Sequence, residues 1–458
     1  MWSSTENTRT HGNEKDAHDA MSILFHEQCL LYYKLLLTFF NYIMATQPHI
    51  GTETDITELV RLIFVRAMDA RASDVHIEPT SNSIRIRFRI DGTLFDQGTI
   101  PMRELDQILT RLKVLANLDI ASRPTPQDGH FELDMNALSP GQRVPASETT
   151  TLSDIEMKPQ EKRILDVRIS VFPTINGDAA VCRLLNRAEA LFSIDELGLD
   201  ETMLQRVRAL LNRSYGMVLI TGPSGAGKTT ALYSILRETM GDEKNIITLE
   251  DPVEFRFDTI RQIQMHPERG MTFALGMKSI LRQDPDIIMI GEIRDQETAE
   301  HAVRASLIGR IVFSTIHSNT NIGTVARLID MNIEPSLIAY AMNGVISTRL
   351  VKKICRNCVT PYTPSAEYLK YLEFDPAGHQ FVKGAGCEKC SGTGYLGRTG
   401  IFEVLDFDTT LRAMIIDHAS MAELQKYVEA RGLKTLKQDA IDKVLQGITT
   451  IESVSHVV

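Results

Sequence analysis

The chain has 458 residues, 43% apolar and 24% charged, with a formal net charge of −10. That length allows about two to four domains, and the composition fits a globular protein able to bury large cores. The acidic balance argues against a protein whose main ligand is nucleic acid, since basic surface supplies most of that affinity. No secretory signal peptide opens the chain. The six cysteines are Cys29, Cys182 and a set of four far downstream, a grouping that suits metal binding in a reducing compartment better than disulfides.

Residues 1–20 are polar, with the composition of a disordered segment. Cys29–Ala45 is apolar apart from Lys34, Thr38 and Asn41. It is near the lower length limit for a membrane span, and Lys34 lies well inside it. A buried or interfacial amphipathic helix, or an extension ahead of a true start at Met44, is weighed against a genuine span. Residues 53–69 carry apolar positions at helical spacing, which breaks at Arg71-Ala72-Ser73-Asp74. Ser83–Ile90 alternates strictly, predicting a strand with one apolar and one arginine face. Asp91-Gly92 signals a tight hairpin turn, and Thr93-Leu94-Phe95 begins the return strand. Residues 103–117 read as an amphipathic helix. Residues 137–162, rich in Ser, Thr, Pro and Glu, read as a disordered insertion between two hairpin strands. Strands resume at Arg163–Phe172 and Ala179–Leu185, and Asn186–Leu199 is a connector.

Residues 201–350 alternate apolar strands and helices, as in an α/β core with a mainly parallel sheet. Met217–Ile220 reads as a buried strand. It leads into Gly222-Pro223-Ser224-Gly225-Ala226-Gly227-Lys228-Thr229, a complete GxxxxGK[ST] phosphate-binding loop. The glycines let backbone N–H groups aim at phosphate oxygens. Lys228 reaches the terminal phosphates and Thr229 holds Mg²⁺. A helix over Thr230–Met240 adds its positive N-terminal end. Three further strands end in polar groups, where open α/β sheets bind ligands: Asn245–Glu254 in two carboxylates, Asp286–Glu292 in an acid suited to Mg²⁺, and Ile311–His317 in a histidine. A series of this kind after a phosphate loop points to nucleotide hydrolysis rather than passive binding.

Two CxxC pairs follow, Cys355/Cys358 and Cys387/Cys390, supplying four thiolates for a closed tetrahedral Zn²⁺ site. Residues 409–458 are mostly helical, with Gly432 and Gly447 as helix ends.

The strings GPSGAGKTTALY, TLEDPVEF, LRQDPDIIMIGEIRD and STIHSN resemble the Walker A, Asp box, Walker B and His box of the type II secretion and type IV pilus assembly ATPases. RASDVHIEP, IRFRIDGTL, LKVLANLDIA, PQDGHFEL and DVRISVFPT resemble the domain that precedes the motor in that family. The resemblance runs from Thr54 to Val458. It implies an α/β protein with five parts: an N-terminal extension over 1–52; an α+β domain over 53–187; a RecA-like ATPase core over 188–351; a zinc-binding element over 352–400; and a helical subdomain over 401–458. It also implies a homo-hexamer using ATP, Mg²⁺ and Zn²⁺. That ring would act in the cytoplasm, peripherally at the inner membrane, on a platform protein of the secretion or pilus machinery. No nucleic-acid partner is expected.

By the same resemblance, Gly222 to Thr229 cradle the phosphates and Glu250 polarises the attacking water. Glu292 holds the Mg²⁺ shell, and His317 senses the terminal phosphate or couples it to a neighbouring subunit. Arg168 and Arg183 supply charge to the nucleotide, with a structural ion pair as the competing role. The sequence departs from the family at Ser306–Arg310, where relatives usually carry Thr-Gly-His, and in the unusual segment that stands for the N-terminal recruitment domain. The rivals are a conjugative or DNA-uptake translocation ATPase, and a nucleotide-gated scaffold that binds ATP without turnover.

Overall fold

The computed structural model describes residues 56–121, 125–134, 164–186 and 192–457. The apolar stretch before residue 56 and the 137–162 insertion lie outside the described residues. Helix α1 (Ile56–Asp69) buries Val60, Ile63, Phe64 and Ala67, a stripe at helical spacing. Arg71, at φ 57, turns the chain sharply, and strand β1 (Ala72–Pro79) follows at once. The sequence pattern marks this only as a helix break, because β1 mixes Asp74, His76 and Glu78 with its apolar side chains.

Strands β2 (Ser83–Ile90) and β3 (Thr93–Pro101) form the expected hairpin. Helix α2 (Leu105–Leu115) lies within the expected 103–117 range. Strands β4 (Gln127–Asp134), β5 (Ile164–Thr174) and β6 (Gly177–Asn186) complete an antiparallel six-stranded sheet of order β3-β2-β1-β6-β5-β4. β4 and β5 pair directly, so the insertion joins two neighbouring strands. Ile84, Ile86 and Phe88 of β2 are buried, and its arginines take the opposite face. The register sets His130, Arg168, Arg183, Asp74 and Arg89 side by side across β4, β5, β6, β1 and β2.

The second sheet has seven strands: β7 (Gly216–Thr221), β8 (Ile246–Glu250), β9 (Arg261–Gln264), β10 (Ile287–Ile290), β11 (Ile311–Ile316), β12 (Met342–Ile354) and β15 (Tyr395–Asp406). Their order is β15-β12-β7-β11-β10-β8-β9, and every pair is parallel except β12 with β15. β7, β8, β10 and β11 are buried along their whole length. Helices cover both faces, which is why these strands read as unbroken apolar runs. One core joins Met217, Leu219, Leu249 and Ile290 to Ala299, Val303 and Val325; the other joins Val218, Ile220 and Met289 to Tyr233 and Leu236.

A small hairpin of β13 (Val359–Tyr362) and β14 (Phe381–Gly384) lies between the two cysteine pairs. Four helices close the chain: α10 (Thr409–Ile416), α11 (Met421–Ala430), α12 (Leu436–Leu445) and α13 (Ile451–Ser455). They follow α3 (Glu201–Leu211), α4 (Lys228–Thr239), α5 (Phe273–Ile280), α6 (Gln296–Leu307), α7 (Asn321–Asp330), α8 (Pro335–Ala341) and α9 (Ala366–Tyr371). Gly432 and Gly447 sit just past α11 and α12 with positive φ, as expected of helix ends. Among the described residues, no helix is long and apolar enough to cross a membrane.

Candidate active site

The phosphate loop leaves β7 at Thr221 and returns as α4 at Lys228. Gly225 and Gly227 take φ values of 75° and 86°, a conformation that costs other residues energy and lets the loop fold back on itself. Lys228 Nζ donates to the carbonyls of Gly222 at 2.8 Å and Pro223 at 3.0 Å. Burial lowers its pKa; the field of Glu292 works against that and the field of Arg349 adds to it. A cation whose acceptors are neutral carbonyls gains when an anion arrives. Thr229, in the first turn of α4, is exposed.

The ends of β10 and β11 bring the Walker B and His box side chains to this lysine. His317 Nδ1 is 3.5 Å from Lys228 Nζ, and its Nε2 is 3.4 Å from Glu292 Oε2. Burial opposes the charge of Glu292, but the hydrogen bond from Arg294 and the fields of Arg294, His317 and Lys228 outweigh it, and its pKa is lowered. Glu292 therefore stands ionised beside the loop. Thr221 Oγ1 donates to the Ser318 carbonyl at 2.8 Å, stitching the His317 loop to the phosphate strand.

Glu250 is placed differently. It is 1% exposed. Its Oε1 accepts from Thr248 Oγ1 at 2.6 Å and Gln262 Nε2 at 3.0 Å, and its Oε2 accepts from the Tyr233 hydroxyl. Burial raises its pKa despite those bonds. The Tyr233 oxygen also accepts from the N–H groups of Glu254 and Phe255 at 3.1 and 3.3 Å. Tyr233 thus fixes the segment after β8, a role the sequence does not signal beyond an aromatic residue on a buried helix face.

Glu254, at the end of that segment, forms a bidentate pair with Arg168 of β5: Nη1 donates to Oε1 at 3.1 Å and Nη2 to Oε2. Arg183 Nε donates to Asp74 Oδ1 at 3.1 Å, and Arg89 Nε lies 3.5 Å from Asp74 Oδ2. Asp74, 7% exposed, holds two arginines of the row at once. Sequence reasoning overlooked it because the residue sits where the helical pattern fails. The hairpin turn reaches the second sheet as well. Asp91 Oδ2 accepts from the Gly397 N–H at 3.1 Å, and Lys352 Nζ donates to Thr93 Oγ1 at 2.7 Å.

Cys355, Cys358, Cys387 and Cys390 converge, with all four Sγ atoms within 4.8 Å of one another. Three of the separations are 3.8, 3.9 and 3.7 Å. A tetrahedron with zinc–sulfur bonds of about 2.3 Å has edges of about 3.8 Å, so the four thiols fit a zinc ion. Burial opposes a thiolate at Cys390, yet the N–H groups of Cys387 and Gly394 bring its pKa down, as second-shell donors do at such sites.

The family model for "Type II/IV secretion system protein" matches residues 51–146 and 141–456. The chain belongs to the type II/IV secretion system protein family. It is 40% identical over 410 residues to the type IV pilus assembly ATPase PilB of Myxococcus xanthus, covering 88% of this chain and 68% of that one. It is equally 40% identical over 407 residues to the type II secretion system ATPase E of Vibrio cholerae, covering 88% and 76%. Among solved structures, the ATPase DotB of Yersinia pseudotuberculosis matches with a TM-score of 0.63 at 20% identity, covering 90% of this chain and 97% of that one; this likeness shows the shared fold. As a member of the family, the chain is a P-loop ATPase with an α/β motor, and its four-cysteine cluster is of the kind that binds zinc.

Proposed function

We propose that this ATPase powers type IV pilus assembly or type II protein secretion as a homo-hexamer. It would work at the cytoplasmic face of the inner membrane through a platform protein of the machinery. The observation that carries the catalytic part is the convergence of Lys228, His317 and Glu292 within 3.5 Å steps beside the phosphate loop. In this reading residues Gly222 to Thr229 wrap the phosphates of ATP and Lys228 exchanges its carbonyl partners for a phosphate oxygen. Thr229 and Glu292 would hold Mg²⁺, which neutralises phosphate charge when bound. His317, bonded between Lys228 and Glu292, would read the terminal phosphate.

The geometry supports Glu250 least for direct contact with water, since both its oxygens are occupied and buried. Glu254, with a side chain 22% exposed, is the better-placed carboxylate once Arg168 releases it. Arg168 would then be free to meet phosphate charge, with Arg183 as a second cation. The four cysteines would hold one Zn²⁺ as a structural site. The five-part division of the chain is part of the same proposal. The kinship to pilus and secretion ATPases supports this role over DNA translocation, and the acidic composition agrees.

Phosphate release by the purified full chain, measured with Lys228→Ala beside it, tests the reading. The variant loses turnover, because among the described residues no other cation donates to those carbonyls. Turnover by Lys228→Ala near that of the unaltered chain would place hydrolysis elsewhere.

A further inference from the structure

We propose that Arg349 is a positioning residue for ATP hydrolysis, tying the loop that follows His317 to the floor of the phosphate loop. The idea rests on His317 acting at the phosphates, as read above. β7 ends at Thr221, but its neighbour β12 runs on past the matching residue, Ser347. The next residues of β12 therefore lie directly against the phosphate loop. Thr348 Oγ1 donates to the Ala226 carbonyl at 3.2 Å. A Cβ on Gly222 would come within 2.6 Å of the Thr348 carbonyl and 3.2 Å of Arg349 Nη1. A Cβ on Gly227 would meet Leu350 at 3.2 Å.

The guanidinium of Arg349 folds onto its own strand and reaches one other backbone segment. Nη1 donates to the Thr348 carbonyl at 2.9 Å and Nη2 to the Asn319 carbonyl at 2.8 Å. Asn319 lies two residues past His317. The far end of the same loop is held at Asn321, which donates to Glu403 Oε1 at 2.8 Å and accepts from Ser347 Oγ at 2.6 Å. Arg349 thus ties the phosphate-loop floor to Asn319, one residue beyond the point where Thr221 holds Ser318. Both its donors shown go to neutral carbonyls. Burial lowers its pKa, and the field of Glu403 only partly offsets that. Glu403 is itself half-buried, and burial raises its pKa. Lys228 and Arg349 are two half-buried cations, and the field of Arg349 adds to the burial that lowers the pKa of Lys228. A phosphate relieves both, and the fork of Arg349 passes that change to the loop bearing His317. A lysine carries one compact ammonium in place of the planar fork and cannot hold the Thr348 and Asn319 carbonyls in this geometry; a glutamine has no charge.

The test uses the full, zinc-replete chain with Arg349→Lys, Arg349→Gln and His317→Ala. Three quantities are read: kcat and KM for Mg-ATP, the melting temperature, and amide hydrogen exchange with and without a non-hydrolysable ATP analogue. Both Arg349 variants should lose about 10–100-fold in kcat, the cost of a small misplacement at a reacting centre. KM should move less than about threefold. Protection gained by residues 318–321 on adding the analogue should vanish, while β7 and α4 keep theirs. His317→Ala combined with Arg349→Lys should be no slower than His317→Ala alone, since both act through one group. A rise in KM with unchanged kcat would make Arg349 a plain phosphate contact and overturn the proposal. So would loss of protection throughout the sheet with a lowered melting point, or a kcat within about twofold of the unaltered chain for Arg349→Lys. If His317→Ala itself keeps full turnover, the role of His317 fails, and the exchange data still judge the link separately.

Discussion

The phosphate loop and the arginine row of the first sheet both carry cations, and they handle charge in opposite ways. Lys228 and Arg349 spend their donors on backbone carbonyls and sit half buried without an ion-pair partner among the described residues. Arg168, Arg183 and Arg89 are each matched to a carboxylate, Glu254 or Asp74. In the loop, a phosphate would replace neutral carbonyl acceptors without first breaking an ion pair. In the row, an arginine that met another anion would first have to give up the one it holds. Residues aligned on one face can therefore differ in readiness without differing in type.

The largest test of this contrast is Arg168→Gln with Glu254→Gln beside it. If Arg168 leaves Glu254 for the nucleotide during turnover, Arg168→Gln loses roughly 10³–10⁵ in kcat, as when a catalytic arginine is absent. Glu254→Gln would also stall hydrolysis while keeping ATP bound, because an amide accepts no proton from water. Steady-state phosphate release and nucleotide binding separate the two effects. Should Arg168→Gln turn over normally and only melt earlier, the pair is a strut between the sheets and the row is not gated at all.

The two sheets touch a second time at the hairpin turn, and that contact leads to the cysteines. Gly397 and Lys352 hold Asp91 and Thr93, and both flank the metal-ligand set. Zinc at such sites contributes about 10–16 kcal/mol of apparent binding energy, which is also local folding energy. Cys387→Ser should therefore drop zinc from about one per chain and speed amide exchange across 352–400 and in the 91–93 turn. ATP turnover should fall less than about tenfold, since the phosphate loop is held by β7 and β12 and not by the ribbon. Elemental analysis without metal-affinity tags gives the metal; exchange that stays slow after zinc loss would show that the turn is held from elsewhere.

Asp74→Asn comes next in size. It keeps the shape but frees Arg183 and Arg89 of their shared anion. If the row is gated by its carboxylates, KM for ATP should fall, because both arginines then seek phosphate without first breaking a pair. A rise in KM would mean that Asp74 aims the arginines and does not restrain them.

Much of this site could be seen in the residues alone, and the reasons are local. Glu292 and His317 each follow a buried strand, and Lys228 sits in the GxxxxGK[ST] loop that leaves another, so the sequence marks both the strands and the polar groups beyond them. The cysteine pairs declare themselves by spacing. Asp74 and the pairing of Arg168 with Glu254 could not be read, since the first depends on distant strands meeting in register and the second on a strand of one sheet meeting the segment that follows β8 of the other. The same holds for Arg349: within its strand it looks like the first of several basic residues, and only the neighbouring β7 ending earlier reveals what it touches. Glu250 shows the limit most clearly. Its motif places it at a strand end, but three side chains from α4, β8 and β9 close over it.

That closure yields the smallest effect. Because burial raises the pKa of Glu250, the folded chain holds this proton more tightly than the unfolded chain does. The stability from that preference is fully present below the unfolded carboxylate pKa and is lost as pH rises through the higher folded value. Glu250→Gln has no such proton to lose. The melting temperature of the unaltered chain relative to Glu250→Gln should therefore be most favourable below the ordinary carboxylate pKa and should decline as pH rises above it. The glutamine keeps an acceptor for Thr248 and Gln262 but presents an NH₂ to Tyr233, whose hydroxyl must then turn. A relative melting temperature that instead rises with pH would mean that Glu250 is stabilised as a carboxylate in the fold. It would then be charged and available, and the water-polarising role would return to it from Glu254.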